Sequence, residues 1–275
     1  MTARPAADRG PGAASLLTFA ILVATFLGLP VAVLIGRAVF DGSLGTALAT
    51  ESVVVALTLS LVTTAVSLVI TVILGLPLAV VLVRRRFPGK WLVEAVIDLP
   101  IVLPPSVAGL ALLLVFGRRG LLGESMSVLG IEIAFTTVAV IVAQVFVSAP
   151  FFIRSARTGL ASVDGDLEDA GRVDGASELG VFRAITVPLA SGALAAGLVM
   201  SWARALGEFG ATIMFAGNIE GVTQTLPLVV YAEFQAGDLD ASVAAAAILV
   251  LAALGVLLAV RVFRWGRALD VRAVG

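Results

Sequence analysis

The chain has 275 residues, 60% of them hydrophobic and 13% charged, against about 25% charged in an ordinary soluble domain, so a water-soluble fold is excluded and the bilayer is its solvent. Histidine and cysteine are both absent, which removes disulfides, imidazole or thiolate metal sites, haem ligation and histidine acid–base catalysis. The net charge of -1 conceals 18 basic and 19 acidic residues that are segregated along the chain, and their positions define the elements.

A helix needs about 20 apolar residues to cross a hydrocarbon core about 30 Å thick, and six charge-free windows approach or exceed that length. The first, Gly10–Gly36, follows a tail with Arg4 and Arg9. It is longer than the roughly 7–15-residue apolar core of an export signal, so residues 15–37 are read as a first transmembrane helix behind a cytoplasmic tail, residues 1–14. The second, Ser52–Val83, has 32 residues and rises about 48 Å if fully helical. It must tilt, kink near Gly75-Leu76-Pro77 or project, and projection on the cytoplasmic side is the reading adopted. Its Thr58, Ser60, Thr63, Thr64, Ser67 and Thr71 either wet a pore or, as small hydroxyl residues more often do, serve helix packing.

The third window, Leu99–Gly117, contains Leu99-Pro100 and Leu103-Pro104-Pro105, so its first part is expected to be broken or kinked. Glu94 and Asp98 precede it and are expected at the membrane interface rather than in a conduction path. The fourth, fifth and sixth windows are Ile133–Ile153, Ala184–Ala203 and Ala241–Val260. Between the last two, Phe209–Ile219 and Gly221–Ala232 are also free of charge, but their length suits re-entrant or interfacial elements.

Lysine and arginine favour the cytoplasmic ends of spans. Fourteen of the 18 basic residues fall in the N-terminal tail, the second-to-third and fourth-to-fifth connections and the C-terminal tail, residues 263–275, with Arg261 at the end of the sixth span. Arg37, Arg118, Arg119 and Arg204 fall on the other side. The expectation is an all-α integral membrane protein with six transmembrane helices and both termini cytoplasmic.

The fourth-to-fifth connection, Arg154–Arg183, is the most hydrophilic part of the chain. Asp166 is expected to cap a short helix over Leu167–Val173, with Asp169 three positions on completing an arrangement like a capping box. Gly175 offers a cheap positive φ, and Ser177 can cap a second helix that runs through Phe182 and Ile185 into the fifth span. Gly171 inside the stub, at a cost of about 1 kcal/mol relative to alanine, implies that another surface approaches closely there.

Asp169-Ala170-Gly171, three residues, Gly175, nine residues, Ile185, one residue and Val187-Pro188 resemble the EAA loop of ABC-importer permeases, Glu-Ala-Ala-x3-Gly-x9-Ile-x-Leu-Pro. Ala170, Gly175, Ile185 and Pro188 match it, while Asp169, Gly171 and Val187 depart by small changes. The resemblance implies the type I ABC importer permease fold over residues 50–262, with residues 154–188 as the coupling loop whose stub helix docks on a cytoplasmic ATPase subunit. The lone lysine, Lys90, stands in Pro88-Gly89-Lys90-Trp91 without the glycine-rich loop that cradles phosphates, so ATP hydrolysis is assigned to a separate subunit.

After the fifth span, Arg204-Ala205-Leu206-Gly207-Glu208-Phe209-Gly210-Ala211-Thr212 and Gly217-Asn218-Ile219 resemble molybdate permeases and, less closely, sulfate permeases. Arg204 and Glu208, four apart, would share a helix face. They either border the translocation path or its gate, together with Asn218 and Thr223, or form a structural ion pair. The resemblance implies a homodimeric pore in the cell membrane, two ATPase subunits, an extracytoplasmic oxyanion-binding protein, and molybdate as cargo with tungstate handled too. Glu208, Glu220, Glu233, Asp238 and Asp240 on the outer side would repel a dianion, which suits delivery by a docked binding protein or a plain hydrophilic loop. A sulfate or thiosulfate permease is the alternative. A secondary transporter would need mid-membrane carboxylates, and the span interiors are charge-free. No catalytic residue, metal site, cofactor or nucleic-acid partner is expected.

Overall fold

A computed structural model describes residues 11–273, with side chains over residues 15–258. The tail arginines Arg4 and Arg9 lie outside the described residues, as do the side chains of Arg261, Arg264, Arg267 and Arg272. Among the described residues the chain is helical with no strand. Helix α1 spans Pro11–Phe40, α2 Ser43–Ala49, α3 Glu51–Arg84, α4 Lys90–Val102, α5 Pro105–Phe116, α6 Gly123–Val128 and α7 Thr137–Ala161. Then follow α8 Gly165–Val173, α9 Glu178–Val181, a π-helical turn Phe182–Thr186, α10 Val187–Leu206, α11 Gly210–Phe215, α12 Leu226–Ala236 and α13 Leu239–Ala273.

Five segments are long and apolar enough to cross a bilayer: Ser15–Phe40, Glu51–Arg84, Thr137–Ala161, Glu178–Leu206 and Leu239–Leu258. The α4–α5 pair is apolar enough only when its two helices are taken together, and it is bent by 119°, as in a broken span or a re-entrant loop. The break falls at Leu103-Pro104, both in extended conformation, because prolines lack the N–H that a helix needs and push the preceding residue out of the α region. Pro105 then opens α5, where its missing N–H costs nothing. Pro100 does not break the chain, since α4 runs through it. Nor does Pro77 break α3, whose 34 residues are longer than a bilayer core requires.

The fourth span is displaced from its charge-free window. Residues 129–135 are not helical, Thr136 caps α7 by accepting from the Ala139 amide, and the helix continues past Arg154 and Arg157. These two arginines belong to the bundle and not to the loop, because α4 supplies their partners: Asp98 takes both nitrogens of a fork from Arg154 at 2.9 Å, and Glu94 accepts from Arg157 at 2.5 Å. Paired charges can enter a span where isolated ones cannot. The polar connection therefore begins at Ser162.

Helix α7 is the centre of the bundle, packed between α3 and α10. Small residues set the distance: a Cβ on Gly159 would meet that of Ala193 at 2.5 Å, and one on Gly197 that of Ser155 at 2.7 Å. Such close backbone approach replaces the hydrophobic drive that is missing between helices in lipid. The hydroxyl face of α3 belongs to this packing. Ser60, Thr63, Thr64, Ser67 and Thr71 are buried, Thr64 accepts from the Gln144 amide at 3.3 Å, and Ser60 accepts from the Leu226 amide at 2.7 Å. Thr58 is exposed and bonds back to the Val54 carbonyl. The short stretches after α10 form α11 and α12, neither long enough to span, and α11 joins α5 and α7 in a core of Ala108, Leu112, Ala139, Val140, Ala143 and Phe215. Helix α1 packs on α13 and α2 at the periphery.

Candidate functional site

The stub helix α8 begins two residues earlier than expected. Asp164, not Asp166, is its N-cap, accepting from the Asp166 amide at 3.0 Å, and Asp169 pairs with Arg172 at 2.5 Å instead of reaching back to the cap. Asp166 and Glu168 lie in the first turn, where the helix dipole favours negative charge. The helix ends as expected at Gly175, which has φ +87°. The Gly175 and Ala176 amides bond back to the carbonyls of Arg172 and Gly171 at 3.0 Å, satisfying carbonyls that the helix leaves open. Ser177 caps α9 by accepting from the Gly180 amide at 3.2 Å.

The residue that ties the stub to the bundle is Glu168. It is 2% exposed, both its oxygens accept from the two terminal nitrogens of Arg84 at the end of α3, and Oε1 also accepts from the Thr186 hydroxyl at 2.5 Å. The Arg84 guanidinium, helped by the Thr186 hydroxyl and opposed by burial, holds this carboxyl below the usual carboxylate range. The overlong α3 thus projects beyond its span to meet the stub. Arg172 links stub and successor helix, donating to Glu178 at 2.7 and 3.2 Å and to Asp169, and these two carboxylates raise its pKa. Glu168 escaped the motif reading because its partner is 84 residues distant. No local signal marked it, since the apolar residues of the stub, Leu167, Ala170 and Val173, are exposed and the side that turns inward carries Glu168, Gly171 and Arg172.

Gly171 is crowded by this chain itself. A Cβ there would meet Ile185 Cδ1 at 2.6 Å and Val181 Cγ2 at 3.4 Å, so the close approach is an internal contact, contrary to the expectation of an external surface. Facing outward are Asp169 and Ala170, with the exposed apolar side chains Leu167, Val173 and Leu179. Pro188 lies in the first turn of α10 and is exposed, while Ile185 is half-buried against Gly171.

At the far end of α10, Arg204 and Glu208 meet at 2.5 Å as an ion pair. They do so across the helix end, since α10 stops at Leu206. Glu208 is 1% exposed, and its Oε1 accepts from the Ala211 amide at 2.7 Å, which satisfies an N-terminal donor of α11. This pair fixes the turn between the two helices. Thr223 is buried and its hydroxyl accepts from the Ile219 amide at 2.9 Å, closing the loop after α11, whereas Asn218 is exposed on that loop. The structure therefore brings Arg204 and Glu208 together and gives Thr223 a loop-closing bond, with Asn218 separate from both.

This architecture is that of the membrane-spanning subunits of ABC transporters, in their type I importer form. The chain superposes on a bacterial ABC transporter involved in the import of the acidic polysaccharide alginate with a TM-score of 0.72, at 18% identity, over 91% of this chain and 93% of that one. An amino acid ABC transporter gives a TM-score of 0.58 at 19% identity over 80% and 96%. Residues 71–272 match the family described as binding-protein-dependent transport system inner membrane component, and the chain belongs to that family. Among its relatives are the probable transport system permease protein NifC of Clostridium pasteurianum, 42% identical over 74% of this chain and 71% of that protein, and the molybdenum transport system permease protein ModB of Mycobacterium tuberculosis, 44% identical over 77% and 80%. The sulfate transport system permease protein CysT of Escherichia coli is 36% identical over 78% of each. The chain is accordingly a multi-pass permease subunit of the inner membrane, pore-forming and not an enzyme, that works with a binding protein and an ATPase.

Proposed function

We propose that this permease imports molybdate, with tungstate as a second cargo, as a homodimer served by two ATPase subunits and an extracytoplasmic oxyanion-binding protein. The observation that carries the substrate is the identity of 42–44% to molybdenum permeases of several bacteria against 36% to sulfate permeases. The sulfate relatives keep a sulfate or thiosulfate permease as the second reading.

In this reading the transport unit is residues 50–262, with α1 as a peripheral helix, and both termini are cytoplasmic. The family match starting at residue 71 and the position of α1 outside the buried core support that division. Residues 154–188, the last turns of α7 with the connection that follows them, are the coupling segment: Asp169, Ala170 and the exposed Leu167, Val173 and Leu179 meet the ATPase, while Gly171, Gly175, Ile185 and Pro188 shape the segment that presents them. Arg204, Glu208, Asn218 and Thr223 border the path or its gate, the ion pair by fixing the α10–α11 turn, Thr223 by closing the loop, and Asn218 as the exposed polar group.

The test is ATPase stimulation of the reconstituted complex by its binding protein loaded with each anion. Molybdate and tungstate should stimulate strongly and sulfate weakly. Equal stimulation by sulfate would replace molybdate by the second reading.

A further inference from the structure

Arg204 lies deep within its span. The Ser201 hydroxyl donates to the Ser148 carbonyl at 3.1 Å, which sets that turn of α10 level with the middle of α7. Arg204 is three residues further along α10, a rise of about 4.5 Å, and so lies inside a hydrocarbon core about 30 Å thick. Its side chain is 30% exposed, and a guanidinium at this depth faces a bundle interior or a water-filled space and not lipid. The pair with Glu208 leaves its donors uncommitted. Oε2 of Glu208 is buried without a hydrogen-bond partner, so it meets Nη1 of Arg204 as a charge alone. Among the described residues no other acceptor meets the guanidinium.

The surface of α10 beside Arg204 has its own composition. Beyond the first turn of the helix its exposed residues are Ser191, Gly192, Ala196, Met200 and Ala203, and the exposed Gly207 follows its end. From Gly192 to Gly207 they recur at steps of three and four and share one face. Arg204, one turn on from Met200, stands at the edge of that face. The peripheral helix α1 instead exposes Leu16, Phe19, Val23 and Phe26, bulky side chains suited to acyl chains. Small residues bring helices of a membrane protein close together, and a charge on their flank rules out lipid as the neighbour. This face of α10 is therefore turned towards a second copy of the chain and the space between the copies.

We propose that Arg204 is the group that contacts the oxyanion cargo inside the membrane, through guanidinium donors that Glu208 leaves open. This assignment rests on the reading of the chain as a homodimeric oxyanion permease and gives one residue of the candidate path its role. The planar fork of an arginine matches the oxygens of a tetrahedral dianion. A translocation site must also hold its solute weakly enough to release it. The Glu208 carboxylate cancels the charge of the guanidinium and so limits its hold on a dianion, while its other oxygen stays on the Ala211 amide and keeps the pair in place at the α10–α11 turn.

The experiment measures uptake of tracer molybdate into proteoliposomes that hold the permease with its ATPase, driven by the loaded binding protein. Arg204→Gln combined with Glu208→Gln removes both charges, strands neither, and keeps an amide oxygen for the Ala211 amide. This double variant should assemble and melt like the wild type yet import molybdate about tenfold more slowly, through loss of a charge-assisted hydrogen bond. Arg204→Lys, which keeps the charge, should recover most of the rate, and Arg119→Gln, an exposed cation of the α5–α6 connection, should match the wild type. Uptake by the double variant within about twofold of the wild type would overturn the proposal and leave a structural ion pair. Ala203→Cys, the sole thiol of a chain without cysteine, tests the face with no change of charge. It should react with a water-soluble methanethiosulfonate in the assembled transporter, more slowly when ATP and molybdate-loaded binding protein are present. An unreactive thiol would overturn the proposal by placing the face in lipid or in a closed helix contact. Import of sulfate in place of molybdate by the wild type would defeat the cargo reading alone, and the role of Arg204 would then be decided by the same comparison on sulfate uptake.

Discussion

Glu168 has more consequence than any residue of the loop motif around it. An ionised carboxylate with two guanidinium donors and one hydroxyl donor is satisfied only while charged, and replacing it by an amide would turn NH2 towards a guanidinium, donor against donor. Charge-assisted hydrogen bonds contribute about 1.5–3 kcal/mol. Glu168→Gln is therefore expected to speed amide exchange across residues 164–186 about tenfold or more, while exchange in α7 is unchanged. The pH dependence follows from the depressed carboxyl pKa. A group with a lowered folded pKa contributes stability above its unfolded value, about 4.3 for glutamate, and loses it as pH falls through the folded value. Stub protection, corrected for intrinsic exchange, should be flat at neutral pH and collapse below about pH 4, a dependence absent from the Gln variant. Glu208 has the same chemistry at the other end of α10, where one carboxylate joins an arginine to a helix N-terminus. The i,i+4 spacing of Arg204 and Glu208 made their pairing legible, but the bond of Glu208 to the start of α11 and the tie of Glu168 to Arg84 were not, because one depends on where a helix ends and the other on a residue far along the chain.

At the scale of elements, charge-free length located the spans well where helices face lipid and poorly where they face each other. The window rule treats every arginine as a boundary, yet Arg154 and Arg157 lie inside α7 because Asp98 and Glu94 neutralise them from α4. Proline was an incomplete guide for a related reason: Pro104-Pro105 breaks the chain, while Pro77, Pro100 and Pro150 are carried within helices. The glycine spacing of the loop was legible through Gly175, but what surrounds Gly171 was not. The two kinds of close approach predict opposite tolerances. A Cβ at Gly109 would lie 2.6 Å from the Ala211 carbonyl oxygen and 2.8 Å from its Cα, backbone that cannot yield without moving α11 off α5. At Gly171 the nearest atom is the tip of an isoleucine side chain, which can rotate away. Gly109→Ala should cost about 1–3 kcal/mol through overpacking and lower the melting temperature of the detergent-solubilised complex, whereas Gly171→Ala should leave it nearly unchanged. The reverse order would mean that α5 and α11 do not pack as described.

For the whole molecule the decisive property is the asymmetry of its two ends. One end gathers most of the described lysine and arginine, Arg84, Arg85, Arg86, Lys90, Arg154, Arg157, Arg172 and Arg183, beside the carboxylates of the stub. The other presents Glu51, Glu220, Glu233, Asp238 and Asp240, with Arg37 bound to Asp41 and Asp240. Because lysine and arginine bias loops towards the cytoplasm, the basic end should face the ATPase and the acidic end the binding protein. The natural absence of cysteine makes this directly measurable, since any introduced thiol is the sole site of maleimide attack. Ala176→Cys lies on the exposed turn after the stub, and Glu220→Cys on the exposed loop after α11. A membrane-impermeant maleimide should label the Glu220→Cys protein in spheroplasts and the Ala176→Cys protein only in inverted vesicles. The opposite pattern would place the stub outside the cell, away from any source of ATP, and would remove its coupling role along with the topology. Co-assembly with the ATPase should also shield Ala176→Cys in inverted vesicles without affecting Glu220→Cys, since docking covers the turn at one end of a bundle whose spans keep the two ends a full bilayer apart.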